Sequence, residues 1–272
     1  MARRLVIASQ KGGVGKTTVA LNLAVSLAER GRRTLLADLD PQGAVGLSLA
    51  RGDTELAGLA ELLSGEAGPE DALVATRLSG LQLLPRGRLD PTDVDSFEEE
   101  MARPSTLDET FRRCEAACDF VVVDTPSGLG RVTSAALAAA DFALLVFQTE
   151  SLALRSIGQA LRVIEHVQEQ SNPRLRLIGI LPSLVERDRP GTHSVLTEIW
   201  NGFPDTLETV VPRTEAFVRA SALGIPVGFL ADGAGASEAR RFDMLADELE
   251  ARIGRLEGTE KVHEAQPARQ LL

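Results

Sequence analysis

The sequence contains no apolar run that approaches the roughly 20 residues needed to cross a bilayer. Residues 1–9 are also too few for a secretory signal peptide. We therefore expect a cytoplasmic protein. With 272 residues, 44% of them hydrophobic, the chain has enough apolar surface to bury a sizeable core.

Cysteine and histidine are scarce as well. The two cysteines, Cys114 and Cys118, are four residues apart, a spacing that would place both thiols on one face of a helix. Neither a disulfide nor a complete metal site is expected from such a pair, so we expect two small buried side chains. The three histidines are scattered along the chain and indicate no metal or acid–base site.

An excess of positive charge is missing too. The chain has 39 acidic and 29 basic residues, a net charge of −10. Because sequence-independent binding of nucleic acid normally uses a basic surface, any contact with DNA must come from a local patch. Lysine occurs only at Lys11, Lys16 and Lys261. Two of these three lie within the glycine-rich segment 11–18, which is therefore the first place to look for chemistry.

Short apolar segments alternate with stretches of helical periodicity. Strands are predicted at 4–9, 34–37, 81–84, 120–123, 142–147, 175–181 and 209–211. Helices are predicted at 19–29, 56–63, 69–75, 105–117, 152–168, 193–200, 215–222 and 237–253, with a loop over 85–95. This alternation predicts an α/β fold with a doubly wound, mostly parallel sheet flanked by helices. We expect one domain over residues 1–256 and a flexible polar tail over residues 257–272.

The segment 11–18 connects the first predicted strand to the first predicted helix. It contains three glycines, Gly12, Gly13 and Gly15. Glycines permit backbone conformations that turn successive N–H groups toward a phosphate, and the following helix directs its positive end to the same point. Lys16 is then expected to reach the β- and γ-phosphates, and the Thr17 hydroxyl to bind Mg²⁺. Gln10 or Lys11, depending on the register, replaces the first glycine of the usual motif.

Three carboxylates follow predicted strands. Asp124 comes directly after the apolar strand 120–123, where a P-loop protein needs an acid to hold Mg²⁺ or its water; a solvated acid at a strand end is the alternative. Asp38 and Asp40 follow the strand 34–37. Because ligands of open α/β sheets bind at the carboxyl ends of the strands, we expect one of these two to face the attacking water.

These segments resemble the ParA/MinD family of P-loop ATPases, whose phosphate loop carries a deviant Walker A motif. The matching segments are the phosphate loop 11–18, the acidic motif 38–43, the Walker B and switch II region 119–130, and 138–141, 212–213 and 224–226. The resemblance implies a P-loop NTPase fold with ATP and Mg²⁺ as cofactors. Since no DNA-reading domain precedes residue 4, it favours the ParA subgroup that lacks one.

The resemblance also implies roles for individual residues. Lys11 matches the lysine that reaches across a dimer interface to the partner's ATP, and Asp40 the acid that positions water. Asp124 matches the Walker B acid, and Asp38 a supporting residue of the Mg²⁺ shell or switch. Catalytic roles are implied for Lys11, Lys16 and Asp40, and metal binding for Thr17, Asp40 and Asp124. Nucleotide binding is implied for Lys11, Gly12, Gly13, Val14, Gly15, Lys16, Thr17, Thr18, Asp38, Asp124, Pro212 and Arg213. Ser183 lies near a position where relatives often have a base-reading asparagine, which leaves the base contact open.

Function follows from the same resemblance. It implies an ATP-dependent homodimer that binds nucleoid DNA without sequence preference and positions or segregates a chromosome, plasmid or protein cargo. Release would follow ATP hydrolysis, slow by itself and stimulated by a ParB-like or adaptor protein with a basic N-terminal segment, which would suit the acidic surface. The segment 190–212 has no lysine or arginine. DNA contacts are therefore expected from Arg187, Arg189, Arg213, Arg219, Arg240 and Arg241, although arginine pairs on helices are often solvated or ion-paired.

Three alternatives remain at this point. A MinD-like membrane-cycling ATPase would need a C-terminal amphipathic helix with a cationic face, which the tail 257–272 lacks, so no stable membrane anchor is expected. A metabolic P-loop amide ligase is disfavoured by Lys11 and by the absence of a glutaminase domain. An iron protein of the same superfamily would need cysteine ligands near the dimer axis, whereas both cysteines precede the Walker B strand.

Overall fold

The computed structural model describes residues 2–47, 56–150, 152–186 and 188–264. Seven strands form one sheet in the order β3-β4-β2-β5-β1-β6-β7. They are β1 Arg3–Ala8, β2 Thr34–Asp38, β3 Val74–Ala75, β4 Leu81–Leu84, β5 Phe120–Asp124, β6 Phe142–Gln148 and β7 Arg176–Ser183. All neighbouring strands are parallel except β3 and β4. The predicted α/β class, with a mostly parallel sheet, is confirmed.

Helices cover both faces of the sheet. They are α1 Lys16–Glu29, α2 Ala44–Leu47, α3 Leu59–Ser64, α4 Pro69–Ala72, α5 Val94–Met101, α6 Thr106–Cys114, α7 Arg131–Ala138, α8 Ala153–Gln170, α9 Thr192–Gly202, α10 Glu215–Leu223 and α11 Ala236–Glu264. Helices α1, α10 and α11 share one hydrophobic core with the sheet, and α3 and α5 to α8 share the other. Side chains of a strand alternate between the two faces, so Leu5 lies in the first core and Val6 in the second. None of the described helices combines the length and apolarity that crossing a bilayer requires.

Two short elements escaped prediction. The loop predicted over 85–95 runs into α5, whose buried Phe97 and Met101 form a single i,i+4 pair around three consecutive glutamates. The helix predicted over 69–75 ends at Ala72, and β3 follows as an antiparallel edge strand beside β4. Both elements are too short for periodicity to reveal them.

One predicted strand does not form, and one predicted helix ends at a different residue. No strand forms over 209–211; isolated bridges lie on either side of it, at Thr206 and Pro212, and the Val211 N–H donates to the Pro182 carbonyl at 2.9 Å. The reason is that the Glu248 carboxylate of α11 accepts the N–H groups of residues 208 and 209, which turns them away from β7. The helix predicted over 237–253 continues through residues 257–264 of the predicted tail, and residues 265–272 lie outside the described part.

The cysteine pair is also placed differently from the prediction. Helix α6 ends at Cys114, so Cys118 lies beyond the helix rather than on its face. Cys114 is buried and Cys118 is half-buried, and both are free thiols.

The register of the parallel strands sets the position of the site. Asp124, the last residue of β5, lies beside Ile7 of β1 and Asp38 of β2. The loop that follows β1 and the acids that end β2 and β5 therefore meet at one edge of the sheet. This is the carboxyl edge, where α/β proteins bind their ligands.

Candidate active site

The loop between β1 and α1 forms a glycine-rich turn. Gly13 and Gly15 have φ values of 72° and 88°, a left-handed conformation that a side chain would strain. Ser9 closes the turn by donating its hydroxyl hydrogen bond to the Lys11 carbonyl at 2.7 Å. Gly15 precedes the first residue of α1, and no side chain caps that helix. Its first N–H groups are therefore available to an anion such as phosphate.

Lys16, Thr17 and Asp124 lie together beneath this loop. Lys16 is buried, with 6% of its surface exposed, and Asp124 is fully buried. The Thr17 hydroxyl donates a hydrogen bond to Asp124 Oδ2 at 2.6 Å. Burial lowers the pKa of Lys16, and the charges of Asp124 and Asp40 act in the opposite direction. The arrangement places one cation and one carboxylate next to the mouth of the loop.

Asp124 has the features expected of a metal ligand. Its Oδ1 atom is buried without a hydrogen-bond partner. Burial raises the pKa of Asp124 from its ordinary value of 3.8, against the effects of the Thr17 hydrogen bond and the Lys16 charge. An unpartnered carboxylate oxygen beside a hydroxyl suits Mg²⁺, which prefers hard oxygen ligands and carries compensating positive charge. The residues present therefore fit the expected cation.

The two acids after β2 have different surroundings. Asp38 is fully buried, and its two carboxylate oxygens accept the N–H groups of Asp40 and Val45, both at 3.0 Å. It thus anchors both ends of the loop that carries Asp40. Asp40 is partly exposed and accepts the N–H of Gln42 at 2.9 Å. Its charge acts on the pKa of both Lys16 and Asp124, so Asp40 lies near these groups.

Lys11 points away from this buried group. Its side chain is 43% exposed, and its Nζ atom forms an ion pair with Glu150 Oε1 at 2.5 Å. Sequence reasoning missed Glu150, which follows β6 and is far from the loop in the chain. The neighbouring Gly12 lies against Ser127 of the segment after β5, since a methyl group placed on Gly12 would be 3.1 Å from Ser127 Oγ.

A second group of predicted residues lies at the end of β7. A methyl group on Gly15 would be 3.3 Å from Ser183 Oγ, a buried hydroxyl that has no hydrogen-bond partner. Pro212 pairs with Val185 in an isolated parallel bridge, and the Arg213 N–H donates to the Val185 carbonyl at 3.1 Å. The structure therefore brings Pro212 and Arg213 to the strand end next to the glycine-rich loop.

The predicted DNA-contacting arginines are not equally available. Arg187 lies outside the described residues. Arg189 and Arg213 both pair with the Glu186 carboxylate, at 3.2 and 3.1 Å. These two are exposed ion-pair partners at the end of β7.

The remaining three arginines divide differently. Arg241 is half-buried, and its Nε atom is buried without a hydrogen-bond partner. Arg219 on α10 and Arg240 on α11 are exposed and form no ion pair with any described residue. Among the predicted DNA-contacting arginines that the structure describes, these two are therefore the exposed ones without an ion pair.

Fold and site together define a P-loop ATPase. The AAA domain family matches residues 2–177. The Thermus thermophilus chromosome-partitioning ATPase Soj is 36% identical over 252 residues, covering 92% of this chain and 96% of its own. The chain belongs to the ParA/MinD family of P-loop ATPases, as its motifs predicted.

Two further relatives extend the comparison. The chromosome partitioning protein ParA of Myxococcus xanthus is 35% identical over 233 residues, covering 84% of this chain and 81% of its own. A solved structure of cobyrinic acid a,c-diamide synthase from Mycobacterium smegmatis, with bound ATP analogue and magnesium, is 33% identical with a TM-score of 0.75. It covers 91% of this chain and 93% of its own.

Proposed function

We propose that this protein is a ParA-like partitioning ATPase that cycles between an ATP-bound dimer and a monomer. The observation that carries the proposal is that two lysines of one loop have different surroundings. Lys16 is buried next to Asp124, whereas Lys11 is exposed at the edge of the loop and paired with Glu150. One lysine can therefore bind the phosphates of its own protomer, while the other remains available to a second protomer.

The buried residues supply the nucleotide site. The N–H groups of the loop and the Lys16 ammonium bind the phosphates of ATP, and Thr17 and Asp124 hold Mg²⁺. The metal, when bound, neutralises charge on the transferring phosphoryl group. Asp40, on the loop anchored by Asp38, orients the attacking water as the sequence predicts. Thr18 and Val14 complete the loop as parts of its backbone.

The exposed lysine supplies the switch. Lys11 leaves Glu150 and stabilises phosphate charge in the partner protomer only when ATP occupies the site. Hydrolysis followed by release of the phosphate removes that charge, and the contact that holds the dimer together is then lost. We expect hydrolysis to be slow until a ParB-like or adaptor protein with a basic N-terminal segment binds.

The proposal also includes the cargo that the protein positions and the DNA that the ATP-bound dimer binds. Relatives named for chromosome partitioning support a role in positioning a chromosome, plasmid or protein cargo. The ATP-bound dimer would bind nucleoid DNA through Arg219 and Arg240, the free arginines of the predicted patch. The protein would then be associated with the nucleoid in the cytoplasm.

The test is the mass of the protein in solution with and without ATP and Mg²⁺, by size-exclusion chromatography with light scattering. Asp40→Ala should accumulate as an ATP-bound dimer because it cannot complete hydrolysis. Lys16→Ala should stay monomeric because it lacks the phosphate contact. Lys11→Ala should bind ATP and still stay monomeric. Absence of any ATP-dependent dimer would refute the role given to Lys11.

The same samples then test whether the ATP-bound dimer binds DNA. A dimer of the Asp40→Ala variant that retards DNA in a gel would support nucleoid binding. A dimer that ignores DNA at low salt would refute it and move the search to membranes, tested by liposome flotation, or to protein scaffolds.

A second candidate is a metabolic amide ligase, favoured by the likeness to the diamide synthase of Mycobacterium smegmatis. A ligase phosphorylates a carboxylate substrate and needs that substrate for turnover. A partitioning ATPase transfers the phosphoryl group to water. Release of phosphate from ATP by the protein alone, with no carboxylate or amine added, would favour the partitioning ATPase.

A further inference from the structure

Strands β2 and β4 leave the sheet side by side. They are parallel, and Ala37 of β2 lies beside Leu84 of β4. The two segments that follow them therefore leave the carboxyl edge together, one carrying Asp40 and the other Arg86. The Arg86 Nη1 atom donates a hydrogen bond to the Pro41 carbonyl at 2.8 Å. A side chain 45 residues further along the chain thus contacts the loop that carries Asp40.

This contact reaches the Asp40 carboxylate through a single peptide group. The Pro41 carbonyl and the Gln42 N–H belong to one planar unit, and that N–H donates to Asp40 Oδ1 at 2.9 Å. By fixing the carbonyl, Arg86 therefore also orients the N–H toward the carboxylate. Its positive charge polarises the peptide group and strengthens the N–H as a donor. No described residue donates to the other oxygen, Asp40 Oδ2, which leaves that oxygen available to water.

The segment that carries Arg86 is itself held in place. The Leu59 N–H at the start of α3 donates to the Pro85 carbonyl at 2.8 Å. The next N–H, that of Ala60, donates to the Arg86 carbonyl at 2.9 Å. The half-buried guanidinium is fixed as well, because its Nε atom donates to the Gly87 carbonyl at 3.1 Å. The contact with the Asp40 loop is therefore made from a rigid position.

Arg88, two residues further along, has different contacts. Its side chain pairs with the Glu61 carboxylate of α3 at 3.1 Å. That carboxylate also accepts the N–H groups of Gly58 at 2.8 Å and of Arg88 at 3.1 Å. Arg86, in contrast, forms no ion pair with any described residue. Of these two arginines in one segment, one therefore stabilises the packing of α3 and the other contacts the loop of Asp40.

We propose that Arg86 is a positioning residue for ATP hydrolysis, which acts through the peptide group of Pro41 and Gln42 to direct the Asp40 carboxylate at the attacking water. This inference rests on the proposed function, because it requires that Asp40 orients that water. Asp38 already holds the two ends of the loop from its own strand. Without Arg86 the loop therefore keeps its place, but the carboxylate loses its fixed direction, and small errors of orientation slow the chemical step.

The experiment measures steady-state ATP hydrolysis by the protein alone and, separately, its affinity for Mg²⁺–ATP. Arg86→Ala should lower kcat about tenfold and leave KM and the affinity within twofold, because the phosphate loop is unchanged. Arg86→Lys should recover most of the lost rate, since an ammonium can also donate to a single carbonyl. Arg88→Ala is the matched control, which removes the same charge from the same segment and should keep kcat within twofold.

A second measurement tests whether Arg86 acts through Asp40. In single-turnover hydrolysis, adding Arg86→Ala to the Asp40→Ala variant should lower the residual rate less than twofold, because the carboxylate that Arg86 positions is already gone. Circular dichroism confirms the fold of each variant. If Arg86→Ala does not fold, Arg86→Met keeps the apolar stem without the donor and should show the same loss of kcat.

The outcomes separate this inference from the function on which it rests. Equal kcat of the Arg86→Ala and Arg88→Ala variants would overturn the inference, as would a further tenfold loss from Arg86→Ala in the Asp40→Ala background. If Asp40→Ala alone hydrolyses ATP as fast as the wild type, the role of Asp40 in the proposed function is overturned instead, and the role of Arg86 with it.

Discussion

Asp124 illustrates how a single residue connects stability to function. The site needs an ionised carboxylate to hold Mg²⁺, but the fold buries that carboxylate completely and leaves one of its oxygens without a partner. Burial therefore raises the pKa of Asp124. Without metal, the ionised carboxylate has an unfavourable desolvation energy in the folded protein. A bound cation relieves this cost, which makes the empty site less stable than the filled one.

The first prediction concerns Asp124→Asn in the absence of nucleotide and metal. An acid whose pKa is raised on folding holds its proton more tightly in the folded state, so the wild type loses stability as the pH rises above the ordinary aspartate value of 3.8. The amide has no such loss. At pH 8 the variant should be more stable to urea than the wild type, by on the order of 1–3 kcal/mol. The difference should vanish near pH 4.

Urea titrations at pH 4, 6 and 8 measure this difference, and circular dichroism confirms the fold at each pH. The control is Thr17→Val, which removes the hydroxyl partner but keeps the carboxylate. A stability difference between wild type and Asp124→Asn that is independent of pH would contradict the prediction.

At the level of elements, one buried arginine ties β1 to the helices on one face of the sheet. Arg4 Nε and Nη2 donate to the Glu115 carboxylate at 2.7 and 3.0 Å, and Nη1 donates to Asp108 at 2.6 Å and to the Ala139 carbonyl at 3.1 Å. Its guanidinium also lies 5.6 Å from the centre of the Phe111 ring. Strand β1 carries the phosphate loop, so this network fixes the strand on which the site depends.

The second prediction compares two adjacent arginines of β1. Arg4→Ala leaves two carboxylates near a buried gap and should destabilise the protein by about 3–5 kcal/mol. Arg3→Ala removes a half-exposed pair with Glu257 and a guanidinium 5.6 Å from the centre of the Phe120 ring, and it should cost no more than about 1–2 kcal/mol. Urea unfolding of both variants measures the difference. Similar losses from the two substitutions would show that the Arg4 network contributes no more than a surface ion pair.

Local sequence patterns predict some of the strands, helices and loops directly. The β5 strand, Phe120–Asp124, is apolar on both faces and stands out in any window, as does the glycine-rich loop after β1. Helix α1 begins at Lys16 rather than at residue 19, because its first turn is polar and carries ligand-binding residues instead of core residues. Local patterns thus predict the main strands and the phosphate loop.

Contacts between distant segments escaped prediction. Glu150 meets Lys11, and Ser183 meets Gly15, across intervals that no spacing encodes. Arg241 looked like a surface arginine because its sequence neighbours are polar, yet the packing of α11 half-buries its side chain and leaves its Nε atom buried without a hydrogen-bond partner. Such pairings follow from the order of the strands in the sheet, which a single sequence specifies only in general terms.

At the scale of the whole molecule, charge opposes the proposed DNA binding. The chain carries −10, and a dimer carries twice that, so its general field repels a polyanion. Binding must then depend on a small patch near α10 and α11, where Arg219 and Arg240 are exposed and unpaired among the described residues. Few contacts imply weak binding with a modest dependence on salt.

The last prediction follows from this count. Two arginines in each protomer give about four phosphate contacts per dimer, so log Kobs should fall against log salt with a slope of about −3 to −4. The double variant Arg219→Ala/Arg240→Ala, in the Asp40→Ala background that holds the ATP-bound dimer, should lose DNA retardation. Arg112→Ala/Arg113→Ala removes the same charge from α6, which packs on the opposite face of the sheet, and should bind DNA nearly as well. Equal losses in both double variants would mean that net charge, rather than the α10 and α11 patch, governs binding. A slope far steeper than −4 would require phosphate contacts beyond these two arginines.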